Sequence, residues 1–128
     1  MAASPQYTAV PRLVTVQLNT ANSATDGTGT LGAEKFTAGV NGSRLDRAVV
    51  KATVTTTAGM VRLFSTVNGA RRLLTEIPVL AVTRSASVPG FETVVDFLGG
   101  LPIPAGSEIS ASTERGESIV LSLFGGDF

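Results

Sequence analysis

The sequence contains no cysteine, no histidine and no tryptophan, and only one tyrosine beside six phenylalanines. Without cysteine there can be neither a disulfide nor a thiolate metal site. Without histidine the commonest general base is gone, and the loss of cysteine also removes the most nucleophilic side chain. A Ser–His–acid triad is therefore excluded. Charge is scarce too: Asp, Glu, Lys and Arg make up 16% of the residues, below the usual quarter. Ten basic residues balance ten acidic ones, and Arg71-Arg72 is the only adjacent basic pair. Such a chain has no long-range field to attract nucleic acid or an anionic membrane, so neither is expected as a partner. No stretch reaches the roughly 18 apolar residues of a membrane span. The opening MAASPQYTAV has no basic region and no continuous apolar region of a secretory signal. The expectation is a soluble chain made in the cytoplasm.

What the chain does have is a high hydrophobic content, 43%, cut into short pieces by turn signals. Asn41-Gly42, Ala58-Gly59, Asn68-Gly69, Pro89-Gly90, Gly99-Gly100, Ala105-Gly106, Gly116 and Gly125-Gly126 recur at short intervals. Between them lie runs of Val, Thr, Ile and Leu with a period of two. In PRLVTVQL, Val14, Val16 and Leu18 share one face and Leu13, Thr15 and Gln17 the other. In RLDRAVVKATVT, Ala48, Val50, Ala52 and Val54 are expected to face inward, with Arg47, Lys51, Thr53 and Thr55 outward. MVRLFSTV and RRLLTEIPV flank Asn68-Gly69, a strong hairpin signal because both central residues of a type I′ turn need positive φ. FETVVDFL, SEISAST and SIVLSLF supply three more strands, the last with Ile119, Leu121 and Leu123 on one face. No window carries a helical period. The pattern predicts an all-β chain of short antiparallel strands in one domain, and so a sandwich or a barrel.

Residues 19–43 break the pattern. They are dominated by Asn, Thr, Ser, Gly and Ala, and only EKFTAGV within them could make a strand. Loops this long are usually functional or disordered. The chain is accordingly divided into an extended N-terminal strand and polar arm or loop, residues 1–43, and a sandwich core, residues 44–128. The arm is expected to become ordered only where a neighbour holds it.

No residue pattern carries catalysis, so no catalytic, cofactor-binding or metal-binding residue is assigned. Glu92 and Asp96 could share a strand face, but they read equally as solvated surface charge. DGTGTLGAEKF has glycines and a lysine without the spacing of a phosphate-binding loop. Asp26 is isolated, which is too little for a calcium cage. Sugar binding favours exposed aromatic platforms, and Phe64, Phe97 and Phe124 fall in strands where core packing accounts for them. Low charge, a polar N-terminal segment and an apolar C-terminus instead suit permanent contacts with other subunits.

MVRLFSTVNGARRLLTEIPV, LPIPAGSEISAST and the closing LFGGDF resemble small virion proteins of tailed bacteriophages, over roughly residues 44–128. The resemblance implies an antiparallel β-sandwich, jelly-roll-like, and a non-enzymatic capsid decoration or cement protein. Such proteins are often homotrimers that bind the major capsid protein on the outer surface of the virion. Tail, collar or fibre components and a glycan-binding adhesin domain are the alternatives. It also gives a reason for the apolar ending. Gly125-Gly126 is expected to turn the backbone, so that Asp127-Phe128 projects beyond it into a pocket on a neighbouring subunit or against the sheet edge, the alternative being that Phe128 folds back on its own domain. Phe128, Asp127, Phe36 and Tyr7 are the expected contact residues.

Overall fold

Alternation in the sequence becomes strand nearly everywhere it was expected. The computed structural model describes residues 8–128, so Tyr7 lies outside the described part of the chain. The strands are β1 (Val10–Leu18), β2 (Phe36–Thr37), β3 (Ser43–Ala52), β4 (Gly59–Val67), β5 (Ala70–Val79), β6 (Glu92–Ile103), β7 (Glu108–Thr113) and β8 (Ile119–Asp127), with no helix among the described residues. They form two four-stranded antiparallel sheets, ordered β1-β8-β3-β6 and β2-β7-β4-β5. The fold is an all-β sandwich.

Its core is the set of inward positions of both sheets. Val16, Leu18, Leu45, Ala48, Val50, Ala52, Ile119, Leu121 and Leu123 come from the first sheet, and Phe36, Val61, Leu63, Ile77, Ile109 and Ala111 from the second. Burying a large apolar side chain contributes about 1.5–3 kcal/mol, so these positions are the main driving force for closing the two layers. Val54 was expected on the inward stripe, but β3 ends at Ala52 and Val54 lies exposed in the connection to β4. The hairpin between β4 and β5 turns on Asn68 (φ 52°) and Gly69 (φ 77°), as the Asn-Gly pair requires.

Two expected turns are instead parts of strands. Gly99-Gly100 stays within β6: Leu45 pairs with Leu101 and Arg47 with Asp96, so residues 97–100 bulge where β3 has only Asp46 between those partners. Both glycines have positive φ, which a bulge demands as readily as a turn does. Gly125-Gly126 likewise does not turn the chain. β8 runs through to Asp127, paired with β1 on one side and β3 on the other. Gly125 is needed there because the Arg44 carbonyl of β3 occupies the place of a Cβ, beside the point where Asp46 is an extra residue of β3 against β8.

The 19–35 connection is fastened by its own chain. Asn22 N donates to Thr113 O and Gly32 N to Ala111 O, each at 2.8 Å, which seats both ends of the loop along β7. Its middle reaches the far strand of the sheet, where Arg71 Nη1 donates to Gly27 O at 3.2 Å. Between these anchors Arg62, Phe64, Ser110 and Ser112 are buried, although they alternate with core residues and so point away from the sandwich interior. The loop therefore covers the outer face of the second sheet. Asn22 organises it: its side-chain amide donates to Thr28 O (2.9 Å) and Thr30 O (2.8 Å), and its side-chain oxygen accepts from Ala24 N (3.0 Å).

Candidate functional site

Three of the four expected contact residues converge on one end of the sandwich, where β1 and β3 begin and β8 ends. Asp127 occupies the last position of the inward stripe of β8, directly opposite both Val10 and Ser43. Its Oδ1 accepts a hydrogen bond from Ser43 Oγ at 2.5 Å and an ion-paired one from Arg12 Nη1 at 3.1 Å. The Ser43 hydroxyl in turn accepts from Gly39 N at 2.8 Å, and Arg12 Nη1 also donates to Thr37 O at 2.8 Å. The Arg12 guanidinium lies 4.5 Å from the centre of the Phe36 ring, where the negative face of the aromatic attracts it. Four strands are thus latched through one carboxylate. The Ser43 hydroxyl foremost, and Arg12 after it, hold the Asp127 carboxyl below its ordinary value near 3.8.

This geometry separates the expected contact residues into different roles. Phe36 is completely buried beneath Arg12 and belongs to the core, so it offers no surface to a partner. Asp127 is bound inward to its own chain. Phe128 does not project: its N–H donates to Gly42 O at 3.2 Å and its ring is half-buried. It forms one wall of an open hollow of about 470 Å³, shared with Val40, Gly42, Pro102, Ile103 and Pro104. Val40 is 92% exposed at its rim. The hollow is mainly apolar, with Asn41 and Ser43 also in its lining, and is suited to an apolar contact.

Arg12 and Ser43 were missed in the sequence, although a signal was present. Arg12 is in phase with Val14, Val16 and Leu18, and Asp127 with Ile119, Leu121 and Leu123. A cation and an anion at the ends of two inward stripes are candidates for a pair, because neither can stay inside alone.

The outer face of the first sheet, in contrast to the second, has no loop over it among the described residues. Its side chains form three rows across the strands: Leu13, Phe124, Arg47 and Asp96; Thr15, Ser122, Val49 and Val94; Gln17, Val120, Lys51 and Glu92. The carboxylate pair weighed for catalysis thus sits opposite basic partners. Glu92 is 3.8 Å from Lys51, Asp96 is in register with Arg47, and the Arg47 guanidinium lies 5.2 Å from the Phe124 ring. Asp26, at the tip of the covering loop, accepts from the Thr28 hydroxyl (2.6 Å) and amide (3.1 Å), which lower its pKa and mark a local turn. Among the described residues no three acidic side chains gather closely enough to hold a metal ion.

Comparison with protein-family models, with curated proteins and with solved structures returned no match.

Proposed function

We propose that this protein is a non-enzymatic structural component of a bacteriophage particle, a decoration or cement protein bound to the major capsid protein on the outer surface of the shell. The observation that carries the reading is the nesting of strand pairs. β1 pairs with β8, β2 with β7, β3 with β6 and β4 with β5, as in one long hairpin. Rolling that hairpin gives the sheet orders β1-β8-β3-β6 and β2-β7-β4-β5, which we read as a jelly roll. Viral capsid subunits and lectins both use that architecture. The resemblance of residues 44–128 to phage virion proteins supports the capsid side of this choice.

On the lectin side, a glycan site would need Tyr7, which lies outside the described residues, or two nearby phenylalanines on one open face. Phe36 and Phe64 are completely buried, Phe91 is nearly so, and Phe97, Phe124 and Phe128 are each half-covered. In the decoration role the hollow beside Phe128 makes the apolar contact with the shell. The exposed loop tip at Ser23, Thr25 and Asp26 reaches polar neighbours. Three copies acting together would add weak contacts through multivalency, and burial at subunit joints would raise the cost of rupturing the shell.

Light scattering on the purified chain over a dilution series tests the oligomer. A mass three times the 13.1 kDa of one chain, persisting on dilution, supports a preassembled cement unit. A monomer at every concentration moves the assignment to a tail, collar or fibre component or to an adhesin domain.

A further inference from the structure

We propose that β1 is a pairing edge for a second copy of this chain, the two β1 strands running antiparallel about a two-fold axis at Thr15. The inference comes from comparing the four sheet edges and does not depend on the particle reading. An unpaired edge strand is a template for another strand, and proteins blunt such edges with charge, proline, bulges, shortness or a covering loop. Three edges here are blunted. β2 is two residues long and the 19–35 loop continues beside it along β7. β5 carries Arg71, Arg72, Glu76 and Pro78. β6 carries Glu92, Asp96 and Pro102 and is broken by the bulge at residues 97–100.

β1 has less of this protection among the described residues: residues 30–33 of the loop pack against Val16 and Leu18 on its inward side, and Gln17, Thr15 and Leu13 stay exposed. Pro11 and Arg12 stand at its start, but the Arg12 guanidinium is turned inward onto Asp127 and Phe36. From Leu13 to Thr25 the sequence has neither charge nor proline. Among the described residues, Leu13 to Leu18 make no backbone hydrogen bond outside the ladder to β8. Among the described residues, then, their outward N–H and C=O groups have no partner.

Because the other edges are blunted, two copies must meet through the same strand, which makes the contact isologous and two-fold. The charge distribution suits that arrangement. The outward side chains of β1 and β8, nearest the joint, are Leu13, Thr15, Gln17, Val120, Ser122 and Phe124, with no charge to repel its own copy. The register follows from two constraints. Opposed residues must lie on the same face, so the axis passes through a residue. Pro11, lacking an N–H, must fall outside the ladder. The longest register meeting both sets Thr15 against Thr15 and Leu13 against Gln17, and joins the two first sheets into one of eight strands. Such a contact doubles whatever unit the dilute protein forms, and in a trimeric cement unit it joins one trimer to the next.

The absence of native cysteine makes the test direct. Under mild oxidation at high protein concentration, Thr15→Cys should form a disulfide-linked pair, because residues facing each other across antiparallel strands are at bridging distance. Arg72→Cys, on the edge strand β5, should not. Thr15→Lys, which sets like charges opposite one another, should weaken concentration-dependent association about tenfold with an unchanged melting temperature. Leu13→Lys provides the same test should Thr15→Lys lower the melting temperature. Cross-linking of Arg72→Cys as fast as Thr15→Cys, or association of the wild type that both lysine variants leave intact, would overturn the proposal. So would a wild type whose mass stays constant up to the highest concentration, which would leave the edge to a different chain.

Discussion

At the scale of single residues, the Asp127 latch makes a prediction about acid. The carboxyl is held below its ordinary value of about 3.8, so the unfolded chain takes up the proton at a higher pH than the folded one. The stabilisation is complete above that ordinary value and is lost as pH falls through the lower value of the folded state. Asp127→Asn should therefore cost about 1 kcal/mol at neutral pH, a modest figure because the pair is partly exposed. It should also flatten part of the loss of stability below about pH 4. Urea unfolding of both proteins across an acid pH series checks the sign and the window. Gly125 makes a steric prediction. A Cβ there meets the Arg44 carbonyl of the neighbouring strand, so Gly125→Ala should destabilise by about 2 kcal/mol, measured by thermal melting. These two positions also show how far single residues could be read. Asp127 was legible as a residue of interest through its place after an apolar strand. Its partners were not, because Arg12 and Ser43 lie far away in sequence and only register brings them together.

At the scale of elements, strand existence was legible because a half-buried strand writes its two faces into alternate residues. Val14, Val16 and Leu18 against Leu13, Thr15 and Gln17 is the clearest case. Strand interruption was not legible in the same way. Gly99-Gly100 and Gly125-Gly126 look like turns because a bulge, a close backbone approach and a turn all select glycine. What distinguishes them is the register of the neighbouring strand, which a local reading lacks. The 19–35 loop was harder still. Its small polar residues gave no apolar stripe, and its order comes from the hydrogen bonds of Asn22 and from the face of Arg62, Phe64, Ser110 and Ser112 beneath it. Asn22→Ala removes the donor to two carbonyls and the acceptor for one amide, and should cost roughly 1–3 kcal/mol. The loss should be local. Amide exchange and proteolysis should accelerate between residues 23 and 31 while the β3 and β8 amides keep their protection.

At the scale of the whole molecule, the two faces of the sandwich differ in kind. The outer face of the second sheet is closed by the chain's own loop, and among the described residues the first sheet presents an open face of mixed apolar and charged rows. The apolar hollow at one end adds a third surface, and its wall, Phe128, can be removed without touching the ladder. Deleting residues 125–128 would instead strip paired residues from β1 and β3 and destabilise the fold, which confuses contact with stability. Phe128→Ala should leave thermal stability within about 1.5 kcal/mol of the wild type, as expected for a half-buried ring, and reduce binding to capsids. Assignment to a phage particle depends on the rolled order of strands together with the resemblance over residues 44–128. The most direct test is immunogold electron microscopy of particles purified from a lysate that makes this chain, with antibody raised against the full-length protein. The account predicts label spread regularly over the outside of the heads. Label on tails alone would contradict the decoration role, and particles without label would contradict the structural assignment altogether.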